Sequence, residues 1–372
     1  MKTIAVIYGT RPEAIKLAPL IVELKKLDDL NVTVICTGQH KEMLVGIMDL
    51  WDLAPDFLIE AQFDLGHSSA IPALMLGLEK ALKQVKPDYV IVQGDTATAA
   101  AGALQAHALH IHVAHIEAGL RSGDLWNPWP EEANRRAIDA ISSLHFAPTK
   151  SSAENLHAEN YTDSVFVTGN TIVDSLNHVV KKLEANEEIR SDLEKTLGFK
   201  LNEQFILFTQ HRREGFGHGQ EQVFQAILEL ANLGYRTVMP VHMNPQVRKK
   251  VEEKFVGIPN IFLIEPQSYL PFMELLRSAA LVISDSGGLQ EEVPSFGKTI
   301  LITRLTTERP EVIDSGHGVL VGFDKELLLA ESLRVLKEDK STLTRLNPFG
   351  DGQASPKIAQ ILNKKLELLE TK

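Results

Sequence analysis

Residues 4–27 read IAVIYGTRPEAIKLAPLIVELKKL, and this stretch decides the fold. Ile4 to Tyr8 is a short apolar run with the branched side chains of a buried strand, and from Pro12 to Leu27 apolar residues recur at helical spacing. Gly9 can take backbone angles closed to other residues and Pro12 suits a helix's first turn, so Gly-Thr-Arg-Pro is a tight strand-to-helix turn. The same unit recurs along the chain. Strand candidates at Val32 to Cys36, Tyr89 to Val92, His112 to Ile116 and Val165 to Val167 are separated by helix-length segments, the strongest being Ala70 to Val85 and Thr96 to Leu109. Such alternation implies an α/β fold, a doubly wound parallel sheet with helices on both faces. The pattern restarts after Gly169, with strands at Phe205 to Thr209, Arg236 to Val241, Ile261 to Ile264, Leu281 to Ser284 and Thr299 to Ile302, and a helix at Gln220 to Leu233. The boundary falls between about Gly169 and Asn202, where Lys181, Lys182, Glu187, Glu188 and Arg190 mark a solvated helix pair.

Size and composition agree with two cores. A chain of 372 residues is too long for one ordinary core and divides into domains of roughly 150 to 200 residues. Its 44% hydrophobic and 23% charged residues are those of a globular protein. A net charge of -11 disfavours nucleic acid as a partner, since phosphate-coating proteins gather Lys and Arg on one face. A small anionic ligand held by a few local cations is compatible with it. Cys36 is the only cysteine, so neither a disulfide framework nor a cysteine zinc site can be built within one chain. The first apolar stretch, six residues before Gly9, is too short for a signal or a membrane span, and the cytoplasm is the expected location.

In an open parallel sheet, ligands collect beyond the carboxyl ends of the strands. The chemically unusual residues of this chain fall at those ends. Gly9-Thr10-Arg11 follows the first strand, Gly94-Asp95-Thr96 and Glu117-Ala118-Gly119 follow two others, and His211-Arg212-Arg213-Glu214 and Asp285-Ser286-Gly287-Gly288 hold equivalent places in the second half. Arg11 and Lys16 bring positive charge to a helix start, either as an anion contact or as ion pairs. The Ser286-Gly287-Gly288 turn lets backbone N–H groups approach a phosphate, with Glu292 one turn on, facing either ribose hydroxyls or solvent. Asp95, Glu117 and Glu131 stand out as acids, because neighbouring carboxylates repel and can divide the roles of acid and base. Glu131 precedes Arg135 by four residues, so a simple ion pair on one helix face is the alternative reading. His211 lies beside two arginines at the end of a strand, where cationic donors would stabilise a leaving diphosphate. The thirteen histidines, His107, His110, His112 and His115 among them, lack metal-ligand spacing, and no dinucleotide fingerprint is present, so neither a metal nor a cofactor is expected.

Together these motifs resemble the non-hydrolysing UDP-N-acetylglucosamine 2-epimerases. The likeness runs from Gly9-Thr10-Arg11-Pro12-Glu13-Ala14-Ile15-Lys16 to Asn347-Pro348-Phe349-Gly350-Asp351-Gly352. In between come Gln39-His40, Gly94-Asp95-Thr96, His115-Ile116-Glu117-Ala118-Gly119-Leu120-Arg121, Pro128-Trp129-Pro130-Glu131-Glu132-Ala133-Asn134-Arg135, Thr168-Gly169-Asn170-Thr171, His211-Arg212-Arg213-Glu214, Asp285-Ser286-Gly287-Gly288 and Thr306-Thr307-Glu308-Arg309-Pro310-Glu311. The resemblance implies two Rossmann-like domains of the glycosyltransferase-B type facing a cleft. Residues 1–170 would carry the catalytic carboxylates, residues 171–354 would bind UDP, and residues 355–372 would form a helix crossing back to the first domain. It implies an isomerase, a homodimer without NAD, that interconverts UDP-N-acetylglucosamine and UDP-N-acetylmannosamine by elimination of UDP, through a bound 2-acetamidoglucal, for cell-surface polysaccharide. Asp95, Glu117 and Glu131 match the family's acids. His211, Arg11 and Lys16 match residues around the diphosphate and the reacting sugar, and Ser286, Gly287, Glu292 and Arg309 match the UDP-holding set; Arg135 and Gly288 are expected to bind substrate beside them.

Departures from the family pattern fall beside these motifs. Gln210 precedes His211 where a small residue is common, Ala97 follows Gly-Asp-Thr in place of Thr, and Asn127 precedes Pro128 where Ser is usual. Phe63-Asp64-Leu65-Gly66-His67-Ser68-Ser69 lacks a glutamine found in relatives beside an activating second UDP-sugar, although Gln39, His40 and His242 keep part of that regulatory neighbourhood. Weakened activation is expected. A UDP-sugar-dependent glycosyltransferase, a hydrolysing epimerase and a non-enzymatic UDP-sugar sensor are the alternatives; the first needs an acceptor site, and the last would be expected to lose an acid.

Overall fold

The computed structural model describes residues 1–39, 44, 46–59, 67–210, 218–241, 245–338 and 346–369, with backbone alone at 67, 68, 218 and 245–247. The chain divides into two compact units, Met1–Ser175 with Phe349–Lys372, and Leu176–Pro348. Each is built on a parallel sheet, as the strand-helix alternation predicts.

The first unit holds β1 (Lys2–Tyr8), β2 (Leu30–Cys36), β3 (Phe57–Leu58), β4 (Tyr89–Gln93), β5 (His112–Ile116), β6 (Leu144–Ala147) and β7 (Val165–Val167) in the order β3-β2-β1-β4-β5-β6-β7. The second holds β8 (Phe205–Thr209), β9 (Arg236–Pro240), β10 (Ile261–Ile264), β11 (Leu281–Ser284), β12 (Ile300–Ile302) and β13 (Gly318–Leu320), ordered β10-β9-β8-β11-β12-β13. The two orders share one logic: the strand order reverses beside β1 in one sheet and beside β8 in the other. A reversal leaves the loops after β1 and β4, and after β8 and β11, splayed to opposite faces around a crevice. Val and Ile fill the central strands because helices cover both faces, so β1, β4, β8 and β11 are buried almost along their length. Small residues bring one helix especially near. A methyl built on Gly102 of the Ala97–Ala108 helix would lie 3.0 Å from Val92 Cγ1 and 3.2 Å from Ile7 Cδ1, so that helix rides directly over β4 and β1.

The closing helix of the first unit, Ala354–Leu368, buries Ile358, Ala359, Leu362 and Leu366 and packs on the Arg11–Leu24 helix. Its first N–H groups need acceptors from elsewhere. Asp174 provides them, accepting from Ser355 N at 2.8 Å and Ala354 N at 3.2 Å, while Asn170 N donates to Phe349 O at 2.8 Å. Burial pushes the Asp174 carboxyl above the ordinary range, and these N–H bonds pull against that rise. Asp174→Ala removes both acceptors. Amide exchange over residues 354–368 is expected to quicken about 5- to 30-fold, the signature of roughly 1 to 2 kcal/mol lost from a cap. Unchanged protection in that helix would contradict this account of its anchoring.

Candidate active site

At the reversal of the first sheet, Glu13 is fully buried three residues after Thr10, the spacing at which a helical carboxylate reaches back to the residue before the helix. Glu13 Oε2 accepts from Gly9 N at 2.9 Å, Thr10 N at 2.7 Å and Thr10 Oγ1 at 2.8 Å, and Oε1 accepts from Thr96 Oγ1 at 2.5 Å. Thr96 also caps the next helix, accepting from Ala99 N at 3.0 Å. One carboxyl group therefore joins the turn after β1 to the turn after β4. Burial raises the proton affinity of Glu13, and the four donors oppose that rise. Gly9 is required by crowding, since a methyl there would fall 1.9 Å from Thr37 Oγ1 and 2.4 Å from Thr98 Oγ1. Those hydroxyls lie 2.9 Å apart, and Thr98 Oγ1 donates to Gln39 Oε1 at 2.8 Å, which makes Gln39 part of the floor beneath the turn.

The three acids singled out in the sequence sit on adjoining pieces of this unit. Asp95 Oδ2 accepts from Arg135 Nε at 2.8 Å and its carbonyl accepts from Asn134 Nδ2 at 2.8 Å, so the Glu131–Ile141 helix grips the turn after β4. Glu117, at the end of β5, is buried against the Lys16 ammonium, and a methyl on Gly94 would come 3.9 Å from its Oε1. Its φ of +68° is the left-handed region that non-glycine residues avoid, and its N–H and that of Ala118 both donate to Phe146 O, at 3.0 and 3.1 Å. Strain of this kind gathers at functional sites. Glu131 opens its helix with Oε2 buried and without a hydrogen-bond partner among the described residues. Arg135 binds Asp95 and, at 2.9 Å, Glu132, so the Glu131–Arg135 pair suggested by sequence spacing is not what holds this turn. Glu132 also accepts from Ser122 N at 3.0 Å and Arg136 Nε at 3.2 Å; burial favours its neutral form, but these donors win and hold it below the ordinary carboxylate range.

In the second unit Thr209 and Ser284 hydroxyls meet at 2.8 Å across the ends of β8 and β11, and Ser286 N donates to Ser284 Oγ at 3.0 Å. Ser286 caps the short Gly287–Glu292 helix by accepting from Leu289 N at 3.5 Å. Arg309 lies under this turn. Its Nε donates to Glu291 at 2.5 Å and its Nη1 to Glu308 at 2.6 Å, and a methyl on Gly287 would come 2.9 Å from that Nη1. Arg304 Nη1 reaches the other oxygen of Glu308 at 2.9 Å. Glu292 is buried, which removes the solvent-facing reading.

Arg11, Lys16 and Asp95 thus lie beside the reversal of the first sheet, with Glu117 bonded to Lys16 and Arg135 to Asp95, Glu131 opens the helix that carries Arg135, and Ser286, Gly287, Gly288, Glu292 and Arg309 lie around the turn after β11. His211, His40 and His242 lie outside the described residues, as does most of the segment from Phe63 to Ser69. Among the described residues no group of three or more His, Cys, Asp or Glu could hold a metal ion. Sequence reading missed Glu13, whose Thr-x-x-Glu spacing was the available signal, and Glu132, which precedes Arg135 and Arg136 by three and four residues.

The family profile described as UDP-N-acetylglucosamine 2-epimerase matches residues 22–363. The UDP-N-acetylglucosamine 2-epimerase of Salmonella typhimurium is 44% identical over 370 residues, covering 97% of this chain and 98% of that protein. Among solved structures, UDP-GlcNAc 2-epimerase from Neisseria meningitidis bound to UDP-GlcNAc superposes with a TM-score of 0.90 at 40% identity, covering 98% of this chain and 100% of the other. The Methanocaldococcus jannaschii UDP-GlcNAc 2-epimerase in complex with UDP-GlcNAc and UDP gives a TM-score of 0.85 at 34% identity, over 97% and 99% of the two chains.

The turn held by Glu13 yields a test independent of catalysis. Glu13→Ala leaves the buried Gly9 and Thr10 N–H groups without their acceptor and should cost about 3 kcal/mol, whereas Glu13→Gln keeps a carbonyl oxygen for them and should cost about 1 kcal/mol. Urea midpoints measure both. Equal midpoints for Glu13→Ala and the parent would show that the turn does not depend on this carboxylate.

Proposed function

The chain belongs to the UDP-N-acetylglucosamine 2-epimerase family, and from that membership we propose that it reversibly interconverts UDP-N-acetylglucosamine and UDP-N-acetylmannosamine without hydrolysis. The C2 proton of the sugar is too weakly acidic to be removed by itself. Elimination makes removal feasible: a carboxylate takes the C2 proton, the C–H electron pair becomes the C1=C2 double bond, and the C1–O bond breaks to release UDP as an anion. In the return step a carboxylic acid delivers a proton to the opposite face of C2, and the UDP oxygen re-forms the bond at C1. Atoms and charge balance without an oxidant, so the step requires no NAD.

The observation that carries this reading is the unequal treatment of three acids on adjoining segments of the first unit. Asp95 is held by Arg135 and Glu117 by Lys16, whereas Glu131 keeps a buried oxygen with no partner among the described residues. Carboxylates in unlike surroundings can divide base and acid duties between them. We assign the C2 proton transfers to Asp95, Glu117 and Glu131. Arg11 and His211 are assigned to the diphosphate, Lys16 and Arg135 to setting the charge of the neighbouring acids, and Ser286, Gly287, Gly288 and Glu292 to the uridine diphosphate, with Arg309 supporting their turn. We further propose a cytoplasmic homodimer supplying precursors of cell-surface polysaccharide.

Proton NMR of UDP-N-acetylglucosamine incubated with the enzyme in deuterium oxide should show the C2 proton signal disappearing as UDP-N-acetylmannosamine grows in, with no free sugar. Accumulation of free N-acetylmannosamine would identify a hydrolysing enzyme instead, and epimerisation without solvent exchange would sink the carboxylate route. Asp95→Asn, Glu117→Gln and Glu131→Gln should each lower kcat by about two orders of magnitude or more while the chain stays folded. Near-parental rates in all three would overturn the assignment.

A further inference from the structure

The reaction proposed above leaves a buried histidine of the first unit without a task. His115, on β5, is fully buried, and each of its ring nitrogens meets an acceptor: Nδ1 lies 2.6 Å from Asp139 Oδ1 and Nε2 lies 2.8 Å from the Gly94 carbonyl oxygen. A peptide carbonyl only accepts. Asp139 is held as an acceptor too, because its second oxygen takes a bond from Arg121 Nη2 at 2.7 Å, and Arg121 is fixed in turn by Glu159 at 2.7 and 2.8 Å. Burial works against the charge on Asp139, but His115 and Arg121 outweigh it and keep the carboxyl below its ordinary range. Both hydrogen bonds of the ring therefore need a hydrogen on each nitrogen, an arrangement that suits neither a metal ligand nor a free base.

What this ring touches points to its role. Gly94 stands immediately before Asp95 in a left-handed conformation, φ +68°, and is pinned on both sides: its N–H donates to Ile116 O at 3.0 Å and its carbonyl accepts from His115. The Gly94–Asp95 peptide plane is thereby set, and with it the origin of the Asp95 side chain. Glu117 lies two residues beyond His115 on the same chain. Asp139 sits in the Glu131–Ile141 helix, two turns after Glu131 and one after Arg135, which holds Asp95. One hydrogen-bonded unit thus joins the three backbone segments that carry Asp95, Glu117 and Glu131.

We infer that His115, locked by Asp139, is a positioning residue for the C2 proton transfers: it clamps the Gly94 carbonyl and so holds the three acids in mutual register. It does not touch substrate. Proton transfer depends steeply on donor–acceptor placement, whereas binding of the nucleotide depends on other residues, so loosening the clamp lowers the chemical step more than the affinity.

The inference rests on the C2 epimerisation proposed above, and the experiment separates the two. The parental enzyme's C2 exchange in deuterium oxide tests the reaction itself. For the clamp, His115→Gln keeps one donor and loses the bridge. Its kcat should fall about 10- to 100-fold with KM within about threefold, and the kinetic isotope effect on substrate deuterated at C2 should rise, because proton transfer has become the slower step. A structural role alone would lower the active fraction and leave that isotope effect where it was. If His115→Gln does not fold, Asp139→Asn, which leaves the ring in place but removes the anion behind it, should give the same pattern. Nitrogen-15 NMR of histidine-labelled parental protein reads the clamp whatever the reaction, and should show hydrogen on both ring nitrogens of His115. An unprotonated ring nitrogen, a loss confined to KM, or an unchanged isotope effect in a slowed variant would each overturn the proposal.

Discussion

The first unit depends on one constraint at the reversal of its sheet: the turns after β1 and β4 must run side by side in a dry place, and their N–H and hydroxyl groups must still be satisfied. Glu13 meets it by accepting from Gly9, Thr10 and Thr96. The crowding that makes Gly9 necessary and the close ride of Gly102 over β1 and β4 belong to the same packing problem. With those turns fixed, the Arg11–Leu24 helix leaves β1 in a direction that carries Lys16 to Glu117, and the Ala97–Ala108 helix leaves β4 just beyond Asp95. The acids are placed by backbone that another acid holds.

Charge is handled by local pairing. Each anion in this buried neighbourhood other than Glu131 and Glu13 has a named cation: Asp95 and Glu132 share Arg135, Glu117 has Lys16, and Asp139 has Arg121. Glu13 is satisfied by neutral donors instead. Removing one member of a buried pair strands its partner, at a cost of about 3 to 5 kcal/mol, so these pairs resist drift even though they contribute little net stability. A ligand anion entering such a region meets positions already fixed by their counter-charges. That is the condition under which an acid and a base of the same chemical type can differ in behaviour.

Much of this was legible in the sequence, and the reason is physical. Strands buried on both faces must be short apolar runs, so β8, β10 and β11 coincide with their Val-, Ile- and Phe-rich segments from Phe205, Ile261 and Leu281. The strands that escaped notice are Phe57–Leu58, Leu144–Ala147 and Gly318–Leu320, which are very short or, in β6, interrupted by His145. His145 survives there because Asp139 O and Ser164 Oγ satisfy its ring, a tertiary fact that no local pattern announces. Asp95, Glu117 and Glu131 were visible because each follows a strand or opens a helix. The partners were not: whether Arg135 turns to Glu131 or to Asp95 depends on a strand end forty residues away in sequence. The inward face of Glu292 and the His115–Asp139 bond likewise follow from packing between distant segments.

The central claim is that these acids act by breaking the C1–O bond as they move the C2 proton. UDP-N-acetylglucosamine labelled with oxygen-18 in the bridge between C1 and the β-phosphorus tests it directly, because UDP freed within the site can rotate before it re-adds. Phosphorus-31 NMR of the recovered sugar nucleotide should show the label scrambled into non-bridging β-phosphate positions, at a rate comparable to epimerisation. Full epimerisation with the label retained in the bridge would mean that UDP never leaves C1, and would contradict the account.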